Sequence, residues 1–173
     1  MYLIRNDTIA LVPYTPDDAA DFYRCWKDID TQKGYNYRFD DSLSEFSKIA
    51  IDRFKFWVTV RDIKTNEKVG VLRLSPDEID PDLAVWIFPE YRNMGYGKNG
   101  MLLALEYIFE NYSFEAITAG CFERNKYSQK ILEQIGYKHE ANSDTIETDC
   151  FTGENIKMLM YRITKEDFLK VER

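Results

Sequence analysis

The chain has 173 residues, enough for one domain with a sizeable core and cramped for two. Its 45% apolar and 31% charged residues are a globular mixture, and no apolar run approaches the ~20 residues of a membrane-spanning helix. A net charge of −7 argues against nucleic acid as a partner and favours a cationic one, such as an amine. The opening Met1-Tyr2-Leu3-Ile4-Arg5-Asn6-Asp7 lacks the basic segment, apolar core and small-residue cleavage site of an export signal, so a cytoplasmic location is expected. Cys25, Cys121 and Cys150 are odd in number and widely spaced, which suggests reduced thiols rather than a disulfide framework or a metal site. His139 is the single histidine and has no G-x-S-x-G elbow to pair with, so a surface or core role is expected for it.

In chain order, Thr8 to Tyr14 reads as a strand. Thr15-Pro16-Asp17-Asp18 then opens a helix, with threonine as cap, proline in the first turn and two acids at the positive end of the dipole. Ala19, Phe22, Tyr23 and Trp26 share one face of it. From Gly34 to Asp41 aromatic and polar residues alternate without a lasting period; Tyr35, Tyr37 and Phe39 either cap the core or border a pocket. Ser42-Leu43-Ser44-Glu45 has the form of a capping box, for a short helix reaching about Asp52. Phe54, Phe56, Val58 and Val60 alternate with Lys55, Trp57, Thr59 and Arg61, as in a strand buried on one face. A polar turn from Asp62 to Lys68 and a return over Val69 to Leu74 predict a β-hairpin. A further turn, Ser75 to Pro81, leads into an apolar run from Leu83 to Phe88 that Pro89 ends.

The stretch after that strand carries the chemistry. Tyr91-Arg92-Asn93-Met94-Gly95-Tyr96-Gly97-Lys98-Asn99-Gly100 lies before a helix whose apolar face includes Met101, Leu105 and Ile108 and which runs to about Asn111. A helix start offers unpartnered N–H groups and positive dipole; Gly95 and Gly97 remove obstructing Cβ atoms, and Arg92 and Lys98 add charge. A phosphate or pyrophosphate is the expected ligand. A P-loop is excluded, because Arg92 stands where its first glycine is needed and Asn99 where its hydroxyl is needed. Gly95-Tyr96-Gly97-Lys98-Asn99-Gly100 does satisfy the dinucleotide pattern G-x-G-x-x-G. Six residues separate it from its strand, however, and Glu115 and Glu123 are misplaced for the ribose-binding acid, so a dinucleotide-binding oxidoreductase is the runner-up.

Downstream, Ala116 to Phe122 reads as a strand running parallel to Leu83–Phe88. Asn125 caps a helix carrying Tyr127, Ile131, Leu132 and Ile135, which Gly136 stops. Strands are expected over Tyr137 to Glu140, Thr145 to Phe151 and Ile156 to Ile163.

Arg92-x-x-Gly95-x-Gly97, followed by Asn125-Lys126-Tyr127-Ser128, Leu132 and Gly136-Tyr137, resembles the two cofactor-contacting segments of the GNAT N-acetyltransferase superfamily, most closely its ribosomal-protein N-terminal acetyltransferase branch. The resemblance implies an α/β fold over residues 1–173 as a single domain: a mixed, mostly antiparallel sheet splayed at a parallel strand pair, with helices on both faces. It implies acetyl-CoA as co-substrate and transfer of its acetyl group, by direct attack, to a primary amine of a small molecule or peptide. No metal, membrane or nucleic acid is implied, and monomer and homodimer both stay open.

By the same resemblance the pantetheine arm pairs with the backbone of Trp86, Ile87 and Phe88. The pyrophosphate lies on the loop of Arg92, Asn93, Met94, Gly95, Tyr96, Gly97 and Lys98, and Asn125 and Ser128 face the thioester. Related enzymes place a glutamate at the head of the central strand, where Asp80 and Asp82 stand here, or in the next strand, where Gly120 stands. Many use a tyrosine acid at the position of Leu132, and Ser128 is the expected substitute, so Asp82 and Ser128 are the catalytic candidates. Asn99 replaces the glutamate common in the nearest branch. A CoA-binding protein without activity is the alternative reading.

Overall fold

The computed structural model describes residues 1–49, 51–77, 79 and 81–171. Its centre is a five-stranded antiparallel sheet in the order β1 (Ile4–Arg5), β2 (Ile9–Pro13), β3 (Trp57–Asp62), β4 (Lys68–Leu74) and β5 (Leu83–Ile87). Between β2 and β3 lie α1 (Ala19–Lys27), α2 (Ile29–Tyr35) and α3 (Leu43–Phe46). The turn before α1 forms a capping box between Thr15 and Asp18, and α3 forms another between Ser42 and Glu45, as the sequence requires. The predicted helix from Ser42 to Asp52 is cut short, since α3 closes at Phe46 and only a single 3-10 turn follows at Ile51–Arg53.

Two expectations need correction. The alternation from Phe54 to Arg61 predicts one buried face, yet β3 is buried on both, with Trp57 5% and Thr59 1% exposed. The reason is a helical layer on each side of the sheet, which leaves no solvated face. Ile9, Leu11, Val58, Val60 and Leu72 pack with the helices that follow β5; Tyr14, Phe22, Phe46, Trp57 and Trp86 pack beneath α1 and α3. The helix α2 also escaped the sequence reading, because Ile29–Tyr35 is short and mostly polar and buries only Thr31.

After β5 the chain makes α4 (Tyr96–Asn111), β6 (Ala116–Phe122), α5 (Lys126–Ile135), β7 (Lys138–His139), β8 (Thr145–Thr148), β9 (Asn155–Thr164) and α6 (Lys165–Leu169). β6, β9 and β7 form a second antiparallel sheet, with β8 also paired to β9. The predicted parallel pairing of β5 with β6 is reduced to one bridge, Asp82 with Thr118, where the Thr118 N–H donates to Pro81 O at 2.9 Å. Beyond it the strands diverge, and the two sheets open as a V. Among the described residues no helix is long and apolar enough to cross a membrane.

Candidate functional site

The V encloses a cavity of about 400 Å³ lined by Asp82 and by Leu83 to Ile87 of β5, by Ala119 to Phe122 of β6, by Thr31, Gly34 and Tyr35 of α2, by Gly97 and Met101 of α4, and by Ser128 and Leu132 of α5 with its cap Asn125. Backbone polarity along its β5 wall follows from register. Phe88 N–H donates to Val69 O at 3.0 Å and Ser75 N–H to Asp82 O at 2.8 Å. In an antiparallel ladder such pairs alternate, so Ala84, Trp86 and Phe88 turn their peptide groups toward β4 and Leu83, Val85 and Ile87 turn theirs into the cleft. Of the three backbone positions expected to meet a pantetheine arm, Ile87 alone faces it. Trp86 enters the cavity wall through its side chain, and Phe88 is 3% exposed in the core. Two cleft-facing carbonyls already have partners: Val85 O accepts the Tyr35 hydroxyl at 2.6 Å, and Ile87 O accepts Arg92 Nε at 3.4 Å.

At the mouth of the V, Asn93 has φ 61° and Gly95 φ 84°, both left-handed. Glycine adopts this conformation without the cost a Cβ imposes, and an added Cβ at Gly95 would meet nothing within 4 Å, so the backbone angle alone selects glycine there. The first helical bond is Asn99 N–H to Gly95 O at 3.1 Å. Among the described residues, the N–H groups of Asn93 through Lys98 have no intramolecular acceptor. They form a cluster of donors at the positive end of a 16-residue helix. Gly97 is buried, its α-carbon face turned to Ile87 and Ile131, and this lets α4 pack closely on β5.

Arg92, one of the two cations expected to bring charge to this turn, lines the cleft and is also bonded within the protein. Its Nη2 donates to Asp28 Oδ2 and to Thr31 Oγ1, each at 2.7 Å, and ties the loop to the start of α2. Burial works against the Asp28 carboxylate, yet the Arg92 hydrogen bond, the Thr31 N–H and the Arg92 charge together hold its pKa below the usual value. Tyr96 is likewise engaged outward. Its hydroxyl donates to Asp62 Oδ2 at 2.7 Å, and that hydrogen bond, with burial, pushes its pKa up to about 12.

Asp82 sits at the closed end of the V. Burial raises its pKa to about 6, against a hydrogen bond from the Gly120 N–H and the charge of Arg73. The expectation of an acid either at the head of β5 or at Gly120 thus resolves into one carboxylate contacting the other position. A more open depression of about 990 Å³, lined by Ser75, Thr118, Glu140 and Arg162 among others, shares Asp82 with the cleft as a wall residue. Asp80, the other acid considered there, lies outside the described residues.

Asn125 caps α5, its Oδ1 accepting the Ser128 N–H at 3.1 Å, and both residues line the cleft. Leu132 occupies the tyrosine position as a buried apolar wall. Cys121 also lines the cavity, but burial pushes its pKa up to about 11, so it is present as neutral thiol and is a poor nucleophile. Sequence reasoning missed the Tyr35 hydroxyl clamp on β5 and the wall residues Val85, Tyr127 and Met158. Tyr127 falls inside the Asn125-Lys126-Tyr127-Ser128 segment and was in that sense legible; Met158 comes from β9, which no local signal connects to the site.

The arrangement matches known proteins. The family model described as acetyltransferase (GNAT) domain matches residues 8–138. A search of curated proteins finds no match. Among solved structures, the fold is similar to spermidine N-acetyltransferase from Vibrio cholerae in complex with CoA and spermine, with TM-score 0.85 and 16% identity over 95% of this chain and 100% of that one. It is similar to an acetyltransferase (GNAT family) from Bacillus anthracis, with TM-score 0.78 and 20% identity over 96% and 99% of the two chains. It is also similar to the microcin C7 self-immunity acetyltransferase MccE in complex with acetyl-CoA and AMP, with TM-score 0.73 and 14% identity over 92% and 93%. The splayed sheets and the donor-lined turn opening α4 are the frame of that domain, and with the family model covering most of its length the chain belongs to the acetyltransferase (GNAT) domain family.

Proposed function

We propose that the protein, acting as one domain over residues 1–173, transfers the acetyl group of acetyl-CoA to a primary amine. The observation that carries the reading is the run of unpartnered N–H groups from Asn93 to Lys98, at the mouth of a cleft whose closed end holds Asp82. A diphosphate matches that donor cluster in charge and geometry. The cleft-facing peptide groups of Leu83, Val85 and Ile87 fit an amide-bearing arm laid along β5, with Ile87 the member of the expected trio that takes part. The Vibrio cholerae neighbour, solved with CoA and spermine, supports an amine as acceptor.

The thioester supplies an activated acyl carbon, and the protein supplies placement and proton handling. The neutral amine nitrogen attacks that carbon, the C–S bond breaks, and sulfur leaves with its electron pair. Asp82 accepts the proton that the nitrogen sheds, for which a pKa of about 6 is suited near neutral pH. Ser128, on the first turn of α5, donates its hydroxyl proton toward the departing sulfur and recovers one from solvent. Cys121, held neutral, leaves the transfer direct rather than through an acyl-enzyme. Motif spacing supports descent from the ribosomal-protein N-terminal acetyltransferase branch, while Asn99 separates this chain from its usual pattern.

Release of free thiol from acetyl-CoA, dependent on an added primary amine, tests the reading. Stabilisation by CoA without turnover of any amine would instead favour a binding protein without activity.

A further inference from the structure

Beside the closed end of the cleft, on the α1 side of the sheet, hydrogen-bond donors outnumber acceptors. Arg73 on β4 lies directly across the ladder from Ala84, a cavity-lining residue, and across from Trp57 on its other side. Its guanidinium carbon is 4.5 Å from the ring centre of Phe54, 5.3 Å from that of Trp57 and 5.4 Å from that of Trp86. Among the described residues it has no ion-pair or hydrogen-bond partner. Among the described residues, Asp82 is a carboxylate whose charge acts on it. A second guanidinium, Arg53, lies 5.3 Å from the same Phe54 ring. The Nε1 atoms of Trp57 and Trp86 are buried and have no acceptor either.

Aromatic faces offset part of the cost of a half-buried cation, yet they accept no conventional hydrogen bond and carry no compensating charge. Two guanidiniums on one phenyl ring, with two orphan indole N–H groups in the same aromatic cluster, make a place that, among the described residues, lacks a bonded anion. Asp82, two residues before Ala84 and just ahead of β5, has the opposite character, so the two ends match a molecule carrying an amine and an acid close together.

We propose that the amine acceptor bears a carboxylate near its reactive nitrogen, and that Arg73 receives this carboxylate while Asp82 faces the amine. The inference rests on the acetyltransferase reading and narrows its substrate class. Arg73 determines specificity and takes no part in bond making. A guanidinium-carboxylate pair at this depth discriminates against the neutral analogue by roughly ten- to hundredfold.

The test uses the full-length protein saturated with acetyl-CoA. Thiol release is followed for free amino acids, for their carboxamides, for the corresponding decarboxylated amines, for dipeptide amides with Asp or Asn as second residue, and for spermidine. The expected result is at least one carboxylate-bearing acceptor preferred over its neutral partner by roughly tenfold or more in kcat/KM. Free amino acids and Asp dipeptides separate the two sources of the carboxylate. Arg73→Gln should erase the preference by raising KM for the carboxylate-bearing member of each pair, while any change in kcat that follows from loss of its charge beside Asp82 falls on both members alike, and Arg73→Lys should restore part of the preference. A loss due to misfolding would lower both members of each pair and abolish the CoA-induced melting shift, so the ratio within pairs is the reading that counts. Preference for spermidine or decarboxylated amines, a ratio that survives Arg73→Gln, or CoA binding with no carboxylate-bearing acceptor turned over would overturn the proposal. Absence of any CoA-induced melting shift in the wild type would instead overturn the acetyltransferase reading beneath it.

Discussion

Asp82 carries two opposed consequences of burial. In its proposed role as proton acceptor it gains from a pKa of about 6, because it is ionised at neutral pH yet still basic enough to take a proton. As a fold element it costs stability. Its folded pKa is raised above the unfolded value, so between about pH 4 and 6 the unfolded chain gives up a proton that the folded chain retains, and stability falls as pH rises through that window. Asp82→Asn should therefore melt higher than wild type at pH 7, by roughly 1–3 kcal/mol in stability, with the difference gone below pH 4. The same variant should lose on the order of 10²-fold in kcat and lose the acidic limb of the pH profile near pH 6. Thermal melts and pH-rate profiles of the two proteins check both halves. Asp82 was visible in the sequence because a known pattern points at the head of that strand. Arg73 and Tyr35 were not, because their meaning lies in what faces them across the sheet, such as Val85 O for the tyrosine, and one-dimensional spacing holds no record of it.

The turn opening α4 was the most legible element, since Gly95, Gly97 and the apolar face at Met101, Leu105 and Ile108 are local signals of a glycine-rich helix start. What the sequence did not reveal there is that Arg92 is bonded to Asp28 and Thr31, partners at the start of a helix that its own short, polar sequence conceals. The proposed anion affinity of this element draws on its peptide N–H groups and the dipole as well as on charge. Gly95→Glu places a carboxylate and a strained backbone in the donor cluster, at a cost of about 1–2 kcal/mol for φ 84°. The variant should fold and should lose the melting shift that CoA gives the wild type; a retained shift would remove the loop from the binding site.

The β7–β9 region makes a separate electrostatic prediction. Asp144 accepts from Lys157 Nζ at 2.8 Å, from Met160 N–H at 3.0 Å and from His139 Nε2 at 2.9 Å, and these bonds, led by Lys157, lower its pKa to about 2. Its folded pKa is depressed, so its contribution is present above the unfolded carboxylate range and is lost as pH falls from about 4 toward 2. Asp144→Asn should lower the melting temperature at neutral pH, and its curve should converge on wild type in that acid window. Convergence at any higher pH would contradict the assigned partners.

For the molecule as a whole, most strands and helices along the chain were legible as alternating patterns and caps, whereas the splayed mixed sheet with helices on both faces came from the resemblance of two motifs. The degree of splay could be read from neither. Parallel pairing ends after a single bridge at Asp82 and Thr118, and the cavity exists because β5 and β6 separate there, a property of how two sheets twist against each other. That separation, closed by Asp82 below and capped by unpartnered amides above, is what the proposed transfer depends on.

The most direct test of the account is thermal melting with CoA and, in parallel, with a nicotinamide dinucleotide. A ligand at about 100 times its dissociation constant adds about 2.7 kcal/mol of apparent stability, which for a chain of this size is a rise of roughly 5–10 °C. The account predicts that rise with CoA and none with the dinucleotide. No rise with CoA, or an equal rise with both, would contradict it.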